Sequence, residues 1–568
     1  MRAIPENARD GAMRRFRTSG AIRRALLVVG AALTIAAQPS LAQGSKALNQ
    51  SPTIDRDRLD RQDPAIPRAA PPAELPSAPV SVDTAASTVA LKEVRYLGAT
   101  LDRRKLDAAT GPFVGGPLDR DALQKLANAV SAAYASSDIA FYAVSIPAQS
   151  AADGVLTVQV LEGRIVQYAL AGETSSTPKR LIDAHIKRLM RDTPTHKSTI
   201  ERTLSLLRDI PGQTVEAKLR GTAKPGELAL DLDVRRKQVE ITVNLNNRGV
   251  FNVTTGAQAQ AAVAFNGLLR EGDSTRLSGY VPLQPHRYQF YSASHQTPIG
   301  SSGTTVGLTG AYVRTRTRDL DILGEAKQLG IVVSHPLVRS YKRNLTLTAS
   351  LDGTNSDNYY LDTAFGGFRT RAARLGASWS AIGKTSGYGV SLSLSHGLGG
   401  LGARAISGYS RVAFRKANLQ ATFVKELDPR FAAKISLRGQ YSPDRLPTTE
   451  RVVLGGEGAG LAYRDGFLTA DRAVSGSAEL SWRALGSKSS ARALTFFAYT
   501  DAALARSLAR PVYNLPGRDY SLASAGGGIR VTPLKGWTAT GQVAVPVKKP
   551  FDGMSSKARF FFSVSRTL

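Results

Sequence analysis

The chain has 568 residues, 42% of them hydrophobic, with no cysteine and a formal net charge of +29. Mean hydropathy lies slightly below zero; this excludes a bundle of membrane-spanning helices but not a β-barrel, because half of each barrel strand is polar. The basic charge is spread along the whole chain instead of being gathered in one arm or helix, which argues for a basic lumen or an acidic partner and against a nucleic-acid site.

Residues 1–42 read as a signal peptide. Arg14, Arg15, Arg17, Arg23 and Arg24 form a charged start, Ala25–Ala37 is an apolar run too short to span a bilayer, and Ser40-Leu41-Ala42 offers a small-x-small cleavage site before Gln43. Residues 43–87 form a linker rich in proline, aspartate, arginine and alanine, a composition that predicts extended or disordered chain.

Residues 88–164 predict a small α+β domain. Val89–Tyr96 reads as a strand, and Leu118–Ser136 as a helix with Leu123, Leu126, Val130 and Tyr134 on one stripe. The strands Ile139–Ile146 and Val155–Leu161 follow, with a turn at Asp153-Gly154 between them. Residues 165–235 repeat the plan. Helices are expected near Pro178–Met190 and Ser198–Asp209, the second with Ile200, Leu204 and Leu207 on one face, before strands Thr214–Leu219 and Leu228–Val234.

From 236 to 568 the chain alternates with period two. In Asn344–Leu351, Leu345, Leu347, Ala349 and Leu351 share one face, and Tyr388, Val390, Leu392 and Leu394 do so in Tyr388–His396. In Ala433–Tyr441 the phase places Ala433, Ile435, Leu437, Gly439 and Tyr441 towards lipid and Lys434, Ser436, Arg438 and Gln440 inward, since a charge on the lipid side costs about 2–4 kcal/mol at mid-membrane. Short connections tend to alternate with long ones, the long ones near 352–369, 397–410, 442–473 and 503–518. The fold expected is an all-β transmembrane barrel of about 16 antiparallel strands, preceded by the two small α+β domains.

These pieces together resemble the haemolysin activation/secretion family of two-partner secretion outer-membrane transporters. Phe141–Gly172 carries the resemblance most specifically, with its proline–glutamine pair (Pro147, Gln149), its Asp-Gly turn and its Glu162-Gly163-Arg164 ending, and is similar to the family's first polypeptide-transport-associated (POTRA) domain. Ile200–Pro225 is similar to the second such domain, and Val243–Gln260 to the start of the barrel. The resemblance implies an outer-membrane pore, with the POTRA domains in the periplasm, that recognises and exports a large adhesin- or haemolysin-like partner exoprotein; a barrel-assembly (insertase) protein of the same superfamily and a passive porin are the alternatives. The partners expected are the secreted polypeptide and outer-membrane lipid, with no nucleic acid.

The resemblance also implies a long loop between the eleventh and twelfth barrel strands that folds back into the lumen. Its counterpart is Val453–Asp471, in which Leu454, Gly455 and Gly456 match the family, as does the aromatic Tyr463. Leu461 stands where the family has an arginine, and Arg464 is adjacent to the aromatic; Asp501 matches the usual carboxylate on the thirteenth strand, with Ala503 in place of a glycine. Arg464 paired with Asp501 would be a latch, since an arginine inside a barrel needs a carboxylate; the alternative is a solvated Arg464 and an Asp501 at a strand end. Partner docking by strand addition is expected at exposed edges: one is Ile139–Ile146, with Ile139, Phe141, Val144, Ile146, Pro147 and Gln149 as contact residues, and the other is Thr214–Leu219. No catalytic constellation, metal-ligand spacing or cofactor motif stands out. The six histidines are scattered, and no enzyme activity and no cofactor are expected.

Overall fold

The computed structural model describes residues 78–172, 177–360, 363–486 and 492–568, together with Ile66 and Leu75. The expected signal peptide lies outside the described residues, as does most of the expected linker.

The first module is organised by one amphipathic helix on one sheet. Strands β1 (Val80–Val82), β2 (Ser87–Ala90), β3 (Glu93–Leu97), β4 (Pro117–Leu118), β5 (Tyr142–Ile146) and β6 (Val155–Glu162) surround the helices Arg103–Thr110 and Arg120–Ala135. The sheet runs β1-β5-β6-β3, with β2 and β4 paired apart from it. Asp119 caps the longer helix, its carboxylate accepting the Ala122 N–H at 2.7 Å. That stop places the helix start two residues later than the apolar pattern alone suggests. Its stripe of Leu123, Leu126, Val130 and Tyr134 is buried in one core with Ile146, Leu156 and Val158 of the sheet.

The second module packs the helices Lys179–Met190 and Lys197–Arg208 on strands β7 (Arg164–Ala171), β8 (Gln213–Gly221) and β9 (Glu227–Arg236), in sheet order β7-β9-β8. Ile182, Ile186 and Leu189 from one helix and Ile200, Leu204 and Leu207 from the other are buried with Leu230, Leu232 and Val234. The modules join at Glu162-Gly163-Arg164. Glu162 accepts the Tyr134 hydroxyl at 2.6 Å, and Arg164 pairs with Glu227 at 3.3 Å. A Cβ on Gly163 would stand 2.8 Å from Phe141 Cβ, so this residue must lack a side chain for the modules to close.

The barrel comprises β10 (Val239–Asn246), β11 (Gln258–Asn266), β12 (Ser274–Pro282), β13 (Tyr288–Ile299), β14 (Thr304–Arg316), β15 (Leu323–Arg339), β16 (Arg343–Tyr360), β17 (Thr363–Ile382), β18 (Ser386–Gly397), β19 (Arg415–Glu426) and β20 (Phe431–Tyr441). A small hairpin, β21 (Val452–Leu454) with β22 (Leu468–Ala470), interrupts it before β23 (Arg472–Leu485), β24 (Ala493–Ser507), β25 (Arg518–Thr532), β26 (Trp537–Lys548) and β27 (Arg559–Thr567). Every neighbour is antiparallel, and β10 pairs with β27 from Thr242↔Thr567 to Asn246↔Ser563, which closes a cylinder of 16 strands with no free edge. The outward phase is as the alternation predicts: Leu347, Leu351, Tyr388, Leu394, Ile435 and Leu437 are exposed large apolar residues, while Ser393, Ser395 and Gln440 are buried inside. One connection differs from expectation. Of the stretch expected to be a loop at 352–369, residues 352–360 and 363–369 are strand, and β16 and β17 stay paired as far as Tyr360↔Thr363. Cross-strand pairs such as Asp357 with Arg369, 2.8 Å apart, hold the polar part of this hairpin together.

The second module grips one end of the barrel. Arg202 donates to the carbonyls of Ser302 (3.1 Å) and Pro336 (2.9 Å), Asp209 pairs with Arg339, and Glu201 accepts the Tyr341 N–H at 2.7 Å. The connections at that end are short, and the far end carries the long 442–471 stretch as well as the closely paired β16–β17 hairpin. Ile66 lies against Gly387, in the inward phase of β18 near the module end, so at least this residue of the linker reaches the barrel interior.

Candidate functional site

The loop between β20 and β23 turns inward because its apolar residues find a matching wall. Leu454, Leu461, Ala462 and Tyr463 are buried in one cluster with Ala503, Ala505, Leu522, Ala544 and Phe561 from β24–β27. The Tyr463 ring stacks 5.1 Å from that of Phe467, and its hydroxyl donates to the Lys548 carbonyl at 2.8 Å. Small inward residues on β24 and β26 leave the room that a filled lumen would otherwise deny. The Leu454-Gly455-Gly456 motif has a backbone reason. Gly455 and Gly456 have φ of +97° and +84°, and a Cβ on either would collide with the Arg464 carbonyl or the Asp465 carboxylate. Their N–H groups close the tip onto the carbonyls of Ala459 (2.9 Å), Gly460 (3.1 Å) and Tyr463 (3.1 Å).

The expected Arg464–Asp501 latch does not form in this geometry. Arg464 Nη1 donates instead to the Thr254 carbonyl at 2.8 Å, in the far-end loop between β10 and β11. The same loop meets the tip at Phe251, whose N–H donates to the Asp465 carbonyl at 2.9 Å and whose ring sits edge-on to Phe467 at 5.0 Å. Asp501 does face the tip, but it accepts the Leu461 N–H at 2.8 Å and the Ser524 hydroxyl at 2.5 Å. Ser524 Oγ in turn accepts the Ala462 N–H at 3.3 Å. The physical reason lies in the Leu461 position itself. With an apolar side chain there, the tip can pack on the wall and turn its backbone amides, not a guanidinium, towards the carboxylate.

Two buried charge clusters at the base of the loop were not found by sequence reasoning. Arg374 on β17 lies between Asp352 of β16 (Nε–Oδ2 2.6 Å) and Glu450 of the loop (Nη2–Oε1 2.8 Å), and Lys416 of β19 reaches Glu450 Oε2 at 2.6 Å. The side chains of Arg374, Glu450 and Lys416 are 1%, 1% and 0% exposed, so these charges are wholly compensated by one another and by their remaining partners. On the other side, Asp471 accepts from Arg510 (Nη2–Oδ1 3.0 Å) and from the N–H groups of Leu446 and Leu508, while Arg451 donates to Ser507 Oγ at 2.8 Å. The inward phase of Arg374 and Lys416 was readable from the alternation; their acid, supplied from a loop 34 to 76 residues further on, was not.

Most residues expected to form a docking edge at Ile139–Ile146 are instead structural. Ile139, Phe141, Val144 and Ile146 are buried. The edge of β5 is covered by the chain itself: β1 pairs with it in parallel, Val80↔Val144 to Val82↔Ile146. The Pro147 carbonyl accepts the Thr84 hydroxyl. The Gln149 amide spans the turn, donating to the Thr157 carbonyl and accepting the Thr157 N–H, both at 2.8 Å. The covering strand could not be anticipated because its residues look like disordered linker. The other expected edge, Thr214–Leu219, lies in β8, which ends its sheet and pairs only with β9 among the described residues.

Comparison with known proteins bears on both regions. The model of the haemolysin secretion/activation protein family ShlB/FhaC/HecB matches residues 227–531, and that of the ShlB-type POTRA domain matches residues 89–163. The outer membrane transporter CdiB of Escherichia coli O6:K15:H31 (strain 536 / UPEC) is 23% identical over 447 residues, covering 75% of this chain and 74% of the relative. The heme/hemopexin transporter protein HuxB of Haemophilus influenzae (strain 86-028NP) is 23% identical over 565 residues, covering 93% and 96%. Among solved structures, CdiB from Escherichia coli superimposes with a TM-score of 0.70 at 19% identity, covering 84% of this chain and 90% of that one.

Proposed function

The chain belongs to the haemolysin secretion/activation family, outer-membrane transporters of two-partner secretion, and on that footing we propose that residues 88–164 and 165–235 act as two periplasmic POTRA modules that capture the partner, with the inward loop as the gate it displaces. The chain is an outer-membrane pore that exports a partner exoprotein. The finer reading is that this partner is a large adhesin- or haemolysin-like polypeptide whose amino-terminal region adds a strand to the open edge of β8. The observation that carries this reading is the difference between the two edges: β5 is already occupied by β1, whereas β8 has an open side among the described residues. From β8 the polypeptide would pass into a lumen lined by polar residues such as Arg276, Ser278, Ser350, Asn418 and Gln420. A polar, hydrated wall lets an extended chain slide because it offers few apolar surfaces to bury.

Site-specific photo-cross-linking tests the capture step. A cross-linker at Lys218 or Arg220 on β8 is expected to trap an amino-terminal partner fragment, and one at Lys125 on the first module's helix is not. Equal trapping at all three positions would remove the edge from the account. Deletion of 88–235 is expected to abolish export while the barrel still inserts; persisting export would contradict the capture role.

A further inference from the structure

The outward face of β15–β20 is indented towards the outer rim. A groove of about 850 Å³ crosses these six strands. Its register explains the indentation: Ala349 is level with Leu375, Leu375 with Leu394, Leu394 with Ala417, and Ala417 with Tyr441. Alanine thus alternates irregularly with large apolar neighbours along one rung of the wall, and the missing side-chain volume is the groove. An apolar lining alone is what any barrel shows to lipid. The rim above it is different.

Arg415 lines the groove one rung above Ala417, and Arg411 stands beside it. Both point at Asp444, at 3.2 and 3.0 Å; the two arginine side chains are 67% and 68% exposed and the carboxylate 3%. One buried carboxylate therefore fixes two open guanidinium groups and leaves a net positive charge between them. Arg472 extends the cluster. Its guanidinium lies 4.8 Å over the ring of Tyr441, a groove residue, and its Nε donates to the Ser442 carbonyl at 2.7 Å. Arg371, one rung above Ala373 in the outward phase of β17, is held by the Leu401 carbonyl at 3.0 Å. Among the described residues neither Arg472 nor Arg371 has a carboxylate partner. A cation that only snorkels from a barrel wall into water needs no fixed geometry; these are held in place by carboxylate, carbonyl and ring contacts, around the mouth of an apolar slot.

We propose that this groove is a binding site for a phosphorylated, multiply acylated lipid of the outer leaflet. Its acyl chains would lie across Ala349, Ala373 and Ala417, and its phosphates would meet the guanidinium forks of Arg411, Arg415 and Arg472, a pairing that matches basic clusters at membrane interfaces to anionic headgroups. The site backs directly onto the loop anchor, because Arg374 and Lys416, which hold Glu450 on the inner side, alternate with the groove residues Ala373, Leu375, Arg415 and Ala417 on the same strands. A bound lipid would stiffen the stretch of wall on which the base of the inward loop rests.

The test is native mass spectrometry of the full-length protein in detergent, titrated with bis-phosphorylated lipid A or with its dephosphorylated form. The expected result is a lipid A adduct at least tenfold more abundant than the dephosphorylated one. Retention should fall at least tenfold in the double variant Arg411→Ser/Arg415→Ser and in Ala417→Trp, which fills the slot, and stay unchanged in Val543→Trp on the outward face of β26. Heat-modifiable gel mobility reports whether each variant is folded, and if Ala417→Trp is not, the arginine pair decides alone. Undiminished retention by the folded arginine double variant, equal binding of the dephosphorylated lipid, or displacement of lipid A by inorganic phosphate would each overturn the proposal.

Discussion

The tip and the base of the inward loop are both buried inside the same barrel, yet they are held by different chemistry. The tip is packed by Leu461, Ala462 and Tyr463 against a wall of small and apolar side chains, and it meets the one carboxylate there, Asp501, through a backbone amide. The base is fixed by Glu450 and Asp471, whose buried carboxylates gather Arg374, Lys416 and Arg510 from three other stretches of chain. The tip's apolar contacts and amide–carboxylate hydrogen bond can be exchanged for contacts with water or a passing chain at modest net cost, whereas separating a buried ion pair leaves an unpaired charge in a low-dielectric site. The contrast teaches where such a loop can yield: the tip can leave the lumen while the base stays as a hinge.

The sharpest way to break that comparison is at the base. Glu450→Ala removes the carboxylate that Lys416 and both terminal nitrogens of Arg374 share, and is expected to destabilise the docked loop by about 3–5 kcal/mol. Limited proteolysis of the loop in detergent measures this, and an unchanged cleavage rate would show that the base is not the anchor. Asp501→Ala removes the acceptor of Leu461 and Ser524, an expected loss of about 1–3 kcal/mol at the tip. Planar-bilayer recordings should then show larger or less stable conductance, and channel behaviour identical to the parent would count against a tip contact. Arg464→Ala gives up one hydrogen bond to Thr254 in a partly open site, so roughly 1 kcal/mol is expected. Because Arg464 and Asp501 have separate partners, the double variant should be additive within about 0.5 kcal/mol, whereas a latch between them would not be.

The smallest effect lies in the second module. His185 is buried, and burial first, then the nearby Arg188, holds its imidazolium down to a pKa of about 4. The folded state therefore binds fewer protons than the unfolded chain, and stability present above about pH 6.5 is lost as pH falls towards 4, with about 0.7 kcal/mol of the loss between pH 7 and 6. Relative to the intrinsic exchange rate at each pH, protection of the amides in the helix Lys179–Met190 should fall about threefold over that interval in the parent and much less in His185→Leu. Equal pH dependence in both would assign the effect elsewhere.

The barrel was legible because period two is a local signal: Leu392, Leu394, Ile435 and Leu437 announce their face without reference to any partner strand. The Leu454-Gly455-Gly456 turn was found through the family resemblance, and the structure supplies its reason, two glycines at positive φ. What the sequence hid was pairing at a distance. Arg374 reads as a lumen charge, but nothing near it says that Glu450 will reach it, and the substitution at Leu461 gives no sign that its amide will take over from a side chain. The strand β1 was hidden by composition, because a short segment in proline-rich chain becomes strand only where β5 offers an open edge. One of the two expected docking edges, Ile139–Ile146, is covered for that same reason.

The central claim is that the inward loop closes the pore and has to leave for export. The chain has no cysteine, so Ala462→Cys with Ser524→Cys gives a unique thiol pair at a point where the tip amide and the Ser524 hydroxyl oxygen are 3.3 Å apart. With that pair joined by a short thiol-cleavable cross-link, partner export should stop, and it should return on reduction. Full export with the cross-link intact would contradict the account.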